Sequence, residues 1–105
     1  MTASQNIDPA KMHQAATDAS QLLKTLSHKD RMMVLCQLGQ REHSVGELAE
    51  LLDIPQSPLS QHLARMRNEG LVQTRRDAQT IFYSLACEKT SRIIGVMYEL
   101  FCEQD

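Results

Sequence analysis

The chain has 105 residues, 42% hydrophobic and 23% charged, with a formal net charge of −2. That length supports one domain, residues 1–105, with a modest core, and no apolar run approaches the roughly 20 residues of a membrane-spanning helix. The N-terminal MTASQNIDPAKMHQ lacks the apolar stretch of a signal peptide, so a cytoplasmic protein is expected, whose three cysteines are reduced thiols and not a disulfide scaffold.

The first helix is announced by Met12, Ala15, Ala16, Ala19, Leu22, Leu23 and Leu26, which recur at three- and four-residue spacing. Its stripe is long for so small a core and suits contact with a second subunit. Ser27 followed by Asp30 marks the start of a second helix, RMMVLCQL lies inside it, and Gly39 marks its stop. In SVGELAELL, Ser44 and Glu47 have the S-x-x-E spacing of a capping box, and Val45, Leu48 and Leu52 share one face, with Leu51 beside them. That third helix ends at Asp53-Ile54-Pro55, because the residue before proline avoids helical geometry.

A fourth helix follows in QSPLSQHLARMRNEG, closed by Gly70 as a left-handed cap, with Pro58 tolerable in the first turn. LVQTRR and TIFYSL, joined by Arg76-Asp77-Ala78-Gln79, read as a β-hairpin. A last helix spans about residues 87–102 and carries Ile93, Ile94, Met97, Tyr98, Leu100 and Phe101. The expected fold is mainly α with a small hairpin, in the order ααααββα. Roughly the first eight residues and the last few are expected to be loose.

The net charge conceals a local asymmetry. Residues 37–53 set Arg41 against Glu42, Glu47, Glu50 and Asp53, whereas residues 54–86 set Arg65, Arg67, Arg75 and Arg76 against only Glu69 and Asp77. A protein acidic overall can still present one basic face to phosphate. A short helix, a tight turn and a second helix with a polar outer face form a helix-turn-helix. At 100° per residue, Leu59, Leu63 and Met66 cluster within about 60° of one another, while Ser57, Gln61, Ala64, Arg65 and Asn68 lie opposite, with Ser60 and His62 on the flanks.

Such an outer face suits a DNA groove. Small residues permit close approach, and Gln61 and Arg65 offer paired hydrogen bonds to base edges. Gln56, Ser57 and Ser60 can meet phosphate near the helix start. Arg75, Arg76, Gln79 and Thr80 lie near the hairpin tip, where a wing would follow the neighbouring backbone. Each feature alone also fits an ordinary solvated surface; their consecutive order and the local charge favour double-stranded DNA. His62 is either a packing residue or a DNA-facing one, and His13, His28 and His43 are expected at the surface.

LLKTLSHKDRMMVLCQL, SVGELAELL, SQHLARMRNEGLV and DAQTIFYSL resemble the ArsR-type winged-helix repressors of bacteria, from roughly residue 15 onward. The Ser60-Gln61-His62-Leu63 segment is a fairly specific part of that likeness. The resemblance implies a winged helix-turn-helix with the fourth helix in the major groove and the hairpin as wing. It also implies a homodimer through the first and last helices on an inverted-repeat operator, with half-sites about one helical turn apart, and a DNA-facing role for His62.

Many such repressors sense metals. The family's thiol-rich site on the third helix needs clustered cysteines, which SVGELAELL lacks, and its Asp/His site on the last helix has no counterpart, since no histidine follows His62. No C-x-x-C or zinc-spaced His/Cys cluster occurs, so neither a metal site nor a cofactor is expected. Cys36 and Cys102, with Cys87 or a carboxylate, could still bind a soft metal, which leaves a repressor sensing a thiophilic metal as the alternative.

A helical cysteine read by itself is better explained by packing, because free cysteine is among the most buried residue types. The contexts V-L-C-Q-L and L-F-C-E-Q, however, resemble the dithiol subgroup of the family that responds to reactive sulfur species or oxidants. That resemblance implies that Cys36 and Cys102 are the sensing pair, that a persulfide, polysulfide or oxidant is the inducer, and that modification releases DNA. Cys87 has no counterpart in that pattern. A thiol enzyme would need an activated cysteine beside a base or in C-x-x-C, and no such motif is present. A protein-docking winged helix is a further reading, separated by its lack of steep salt dependence on DNA.

Overall fold

The computed structural model describes residues 7–102; the expectation of a loose start falls mostly outside them, and that for the last few residues lies there almost entirely. The elements are α1 (Pro9–Leu26), α2 (Lys29–Leu38), β1 (His43–Ser44), α3 (Val45–Leu52), α4 (Gln56–Asn68), β2 (Val72–Asp77), β3 (Thr80–Leu85) and α5 (Glu88–Phe101). The expected order of helices and hairpin is present, with one addition. The two-residue β1 pairs antiparallel with β3, His43 opposite Tyr83 and Ser44 opposite Phe82, so the sheet has three strands in the order β1-β3-β2. Two residues are too few to show an alternating pattern, which is why only a hairpin was legible.

The core is formed where the helices meet this sheet. Val34 and Leu35 of α2, Leu48 of α3 and Leu59, Leu63 and Met66 of α4 have no exposed surface, and Ile54, Leu71, Val72 and Ile94 close around them. Fully burying a side chain of this size contributes about 1.5–3 kcal/mol. The α4 triad therefore fixes the rotation of that helix about its own axis.

The turns are set by local chemistry. Ser44 and Glu47 form the reciprocal capping box, with bonds of 3.2 and 2.9 Å. The α3–α4 turn places Asp53 in the left-handed region (φ 56°), and the Ile54 N–H donates to the Ala49 carbonyl at 3.2 Å while the Ile54 side chain enters the core. Gly70 (φ 76°) ends α4: its N–H donates to the Arg67 carbonyl and the Leu71 N–H to the Met66 carbonyl, the paired bonds of a Schellman motif.

Two expectations are corrected. The cap of α2 is His28 and not Ser27: the His28 Nδ1 accepts from the Asp30 N–H at 3.2 Å, whereas the Ser27 hydroxyl donates back to the Lys24 carbonyl at the end of α1. His43 is not a surface residue but 1% exposed. Strand β1, paired at the edge of β3, carries it inward. Neither ring nitrogen has a hydrogen-bond partner; the Glu47 carboxylate stands 3.8 Å away, and the Gln37 backbone is near enough to weigh on ionisation without a bond of good geometry.

Helix α1 is the least embedded element. Of its 18 residues only Thr25 and Leu26 are buried, and Met12 and Leu23 are half exposed.

The wing turn supplies a stability prediction. Ala78 holds φ 58° between Asp77 and Thr80, which pair across the hairpin. A side chain with a Cβ is strained there, so Ala78→Gly should raise unfolding stability by about 1 kcal/mol and Ala78→Val should lower it, as read by urea denaturation at fixed protein concentration. His43 supplies a second. Burial first, then the Arg41 charge, lowers its pKa. The stability held by neutral His43 is complete above about pH 6.5 and is lost as pH falls. His43→Leu should therefore flatten the stability profile below about pH 6.5.

Candidate nucleic-acid interface and thiol pair

Because Leu59, Leu63 and Met66 point inward, the opposite face of α4 is solvent-facing. Gln56, Ser57, Ser60, Gln61, Ala64, Arg65 and Asn68 are all exposed. No side chain caps the start of α4, where Pro55 occupies the cap position and Pro58, third in the helix, has no N–H to satisfy. The unclaimed N–H groups of a helix start are a natural anion site, a phosphate oxygen included. Gln56 lines a shallow depression with Arg41, Gly46, Glu47 and Glu50 at the foot of α3.

The arginines are held by partners that the residue pattern did not single out. Arg65 donates through Nε to Glu69 at 3.1 Å, and the other oxygen of Glu69 accepts the Thr25 hydroxyl at 2.5 Å. The Arg65–Glu69 pair has the i, i+4 spacing that sequence alone could have flagged; Thr25 carried no signal. Arg75 is not at the hairpin tip. It lies in β2 opposite Phe82, stacks its guanidinium 4.7 Å from that ring, and forms a two-nitrogen ion pair with Glu42, with Nε bonds of 3.1 and 2.9 Å. This pairing pushes the Glu42 carboxyl below its ordinary range and the Arg75 guanidinium further up.

Arg76, opposite Ile81, is exposed and has no ion-pair partner among the described residues, and Gln79 stands in the turn itself. His62 is half-buried, its ring 4.6 Å from that of His28 and tilted by 56°. Desolvation, with the His28 and Arg31 charges, lowers its pKa.

All three cysteines are free thiols. Cys36 is half-buried on α2, against the core. Burial raises its pKa, and so does Cys102, which is thus close enough for its charge to be felt. Cys102 is the exposed C-terminal cap of α5. Cys87 occupies the N-terminal cap position of the same helix without a side-chain capping bond of good geometry, and the nearby Thr90 backbone and hydroxyl lower its pKa. The last helix therefore begins and ends on a thiol.

A helix whose buried stripe turns a polar face outward, preceded by a short helix and followed by a β-wing, defines the winged helix-turn-helix, a class of DNA-binding regulators. Residues 28–74 match the model of the bacterial regulatory protein family arsR. The biofilm growth-associated repressor of Agrobacterium fabrum is 50% identical over 91 residues, covering 87% of this chain and 78% of the relative. Reduced HlyU from Vibrio cholerae superposes with a TM-score of 0.85 at 42% identity, covering 89% of this chain and 98% of that one. That protein bears the name of a transcriptional activator. The transcriptional repressor BigR from Xylella fastidiosa superposes with a TM-score of 0.82 at 41% identity, covering 93% and 100%.

The chain belongs to the ArsR family of bacterial regulatory proteins. It is a DNA-binding transcriptional regulator and not an enzyme.

The opposite shifts at two thiols give a prediction. Under limiting iodoacetamide near neutral pH, Cys87 should be alkylated before Cys36, because thiolate is the nucleophile. Peptide mass spectrometry over a time course reads the order.

Proposed function

We propose that this protein is a cytoplasmic, homodimeric repressor whose operator affinity is switched by modification of Cys36 and Cys102. The observation that carries the reading is the nearness of these two free thiols, one on α2 and one at the end of α5, close enough that Cys102 helps to raise the Cys36 pKa. A bond between them ties a core helix to the terminal helix. If that tie favours an arrangement of the two recognition helices unsuited to DNA by 2–3 kcal/mol, affinity falls roughly 30- to 150-fold.

The dimer is supported by what α1 and α5 leave uncovered. Ala15, Ala19, Leu22, Ile93, Val96 and Met97 line an open groove of about 710 Å³, and Met12, Leu23, Val96, Leu100 and Phe101 are 50–69% exposed. Apolar surface concentrated on two helices marks an interaction site. A two-fold pair through these helices places two copies of α4 on successive major-groove faces, suited to an inverted repeat. Repression is supported by the relatives named as repressors.

In this reading Gln61 and Arg65, with His62 at their flank, read bases. Gln56, Ser57 and Ser60 hold phosphate at the helix start, and Arg75, Arg76 and Gln79 place the wing along the backbone. The inducer is a persulfide, polysulfide or oxidant. A plain disulfide removes two hydrogens and needs Cα atoms within about 7 Å, whereas a bridge carrying added sulfur spans more.

Arg65→Ala should cost about 1–3 kcal/mol on the operator and relax specificity, while Arg76→Ala should weaken binding to all sequences alike and lower the salt slope by about one unit. Identical specificity profiles for the two variants argue against the assignment. Cys36→Ser and Cys102→Ser should each keep DNA binding and lose the response to persulfide or peroxide in a gel-shift assay. A retained response in either single variant removes the pair as sensor. Mass spectrometry of the treated protein separates a two-hydrogen loss alone from the same loss accompanied by a gain of two sulfurs.

A further inference from the structure

Where the N-terminus of α2 meets the middle of α4, His28, Asp30 and His62 bring two imidazoles and a carboxylate together, with one donor atom from each within 4.8 Å of the others. No spacing rule applied to the sequence joins residues so far apart in the chain; the packing of α2 on α4 does. We infer that these three side chains form a site for a single divalent transition cation of the zinc or cobalt class, separate from the thiols.

The donor set argues for that chemical class. Imidazole suits zinc, cobalt, nickel and copper, whereas magnesium and calcium select oxygen ligands. Three protein ligands leave a fourth position for water, and His28 is exposed, so that position opens to solvent. A tetrahedral ion with ligands near 2.1 Å holds its donors roughly 3.4 Å apart. Closing the triangle shortens its sides by at most about 1.4 Å, and the exposed His28 ring at the N-terminal cap of α2 has room for it.

Two features set the strength of binding. Arg31 and Arg65 lie within electrostatic reach of His62 and oppose a cation, while Asp30 favours it. The His28 Nδ1 also already accepts the Asp30 N–H at 3.2 Å. An ion at Nδ1 displaces that N–H. An ion at Nε2 requires the ring proton on Nδ1, which then no longer accepts. Either route ends the α2 cap, so metal binding at this site competes with capping. Occupied, the site joins the recognition helix to α2 through a metal.

The test is a titration of the reduced full chain with Co²⁺, followed by visible absorption. Expected is one ion per chain, with the ligand-field bands of a nitrogen–oxygen site and no thiolate-to-cobalt charge-transfer band. His28→Asn removes the imidazole but supplies a favoured capping residue, so α2 is retained. His28→Asn and Asp30→Asn should each weaken Co²⁺ binding about tenfold or more, while Cys36→Ser and Cys102→Ser leave it unchanged. Failure to bind, unchanged affinity in His28→Asn and Asp30→Asn, or a charge-transfer band that disappears with a cysteine substitution overturns the assignment.

Discussion

The rotation of α4 about its own axis is the constraint on which the remainder of the molecule depends. Three side chains, Leu59, Leu63 and Met66, are fully withdrawn from solvent against Leu35 and Leu48. A helix anchored along such a stripe cannot roll without exposing it. Everything polar on α4 is aimed by that burial. The elements on either side obey the same requirement. The left-handed Asp53 lets Ile54 enter the core as α4 begins, and the Schellman end at Gly70 sends Leu71 and Val72 into it as the chain turns toward the wing.

A second set of contacts ties that helix to the rest. Glu69, just past the last turn of α4, accepts from both Arg65 and Thr25, and Thr25 is one of only two buried residues of α1. Arg31, itself 8% exposed, donates to the Thr25 carbonyl at 2.9 Å. Burial lowers its pKa, as does the nearby Arg65 charge, and Glu69 opposes both. One acidic group thus joins the outer helix to the polar face of α4. A rearrangement of α1 has a direct polar route to Arg65, through groups that lose hydrogen bonds if they separate. That route is distinct from any bond between thiols and is present in the reduced protein.

Local rules carried much of the fold in the sequence, and the reason is visible element by element. Periodicity located α4 because its apolar residues serve a single core. The capping box and Gly70 were legible because each is a self-contained backbone device. What escaped was decided by tertiary neighbours. His28 outcompetes Ser27 as a cap only because Ser27 is occupied at the end of α1. His43 is buried because a strand too short to announce itself pairs with β3. The residue types of the candidate site were legible in the same way, but the partner of Arg75 was not, since Glu42 comes from the loop before β1, nor was the Thr25 of α1 that shares Glu69 with Arg65. The cysteines could be ranked only after folding, since helix position and burial separate Cys87 from Cys36 more than any motif does.

The position of Cys102 at the end of α5 also bears on which chemistries can join it to Cys36. Cys36 is gripped by the core, whereas Cys102 is exposed on a terminal turn, the part of a helix that opens at least free-energy cost. One sulfur is therefore on a fixed post and the other on slack line. A bridge between them is under little demand for a particular length, so short and long sulfur linkages meet similar resistance from the backbone. In the thiol switch proposed above, discrimination among inducers falls to the rate at which the half-buried thiol reacts, and a kinetic filter takes the place of a geometric one.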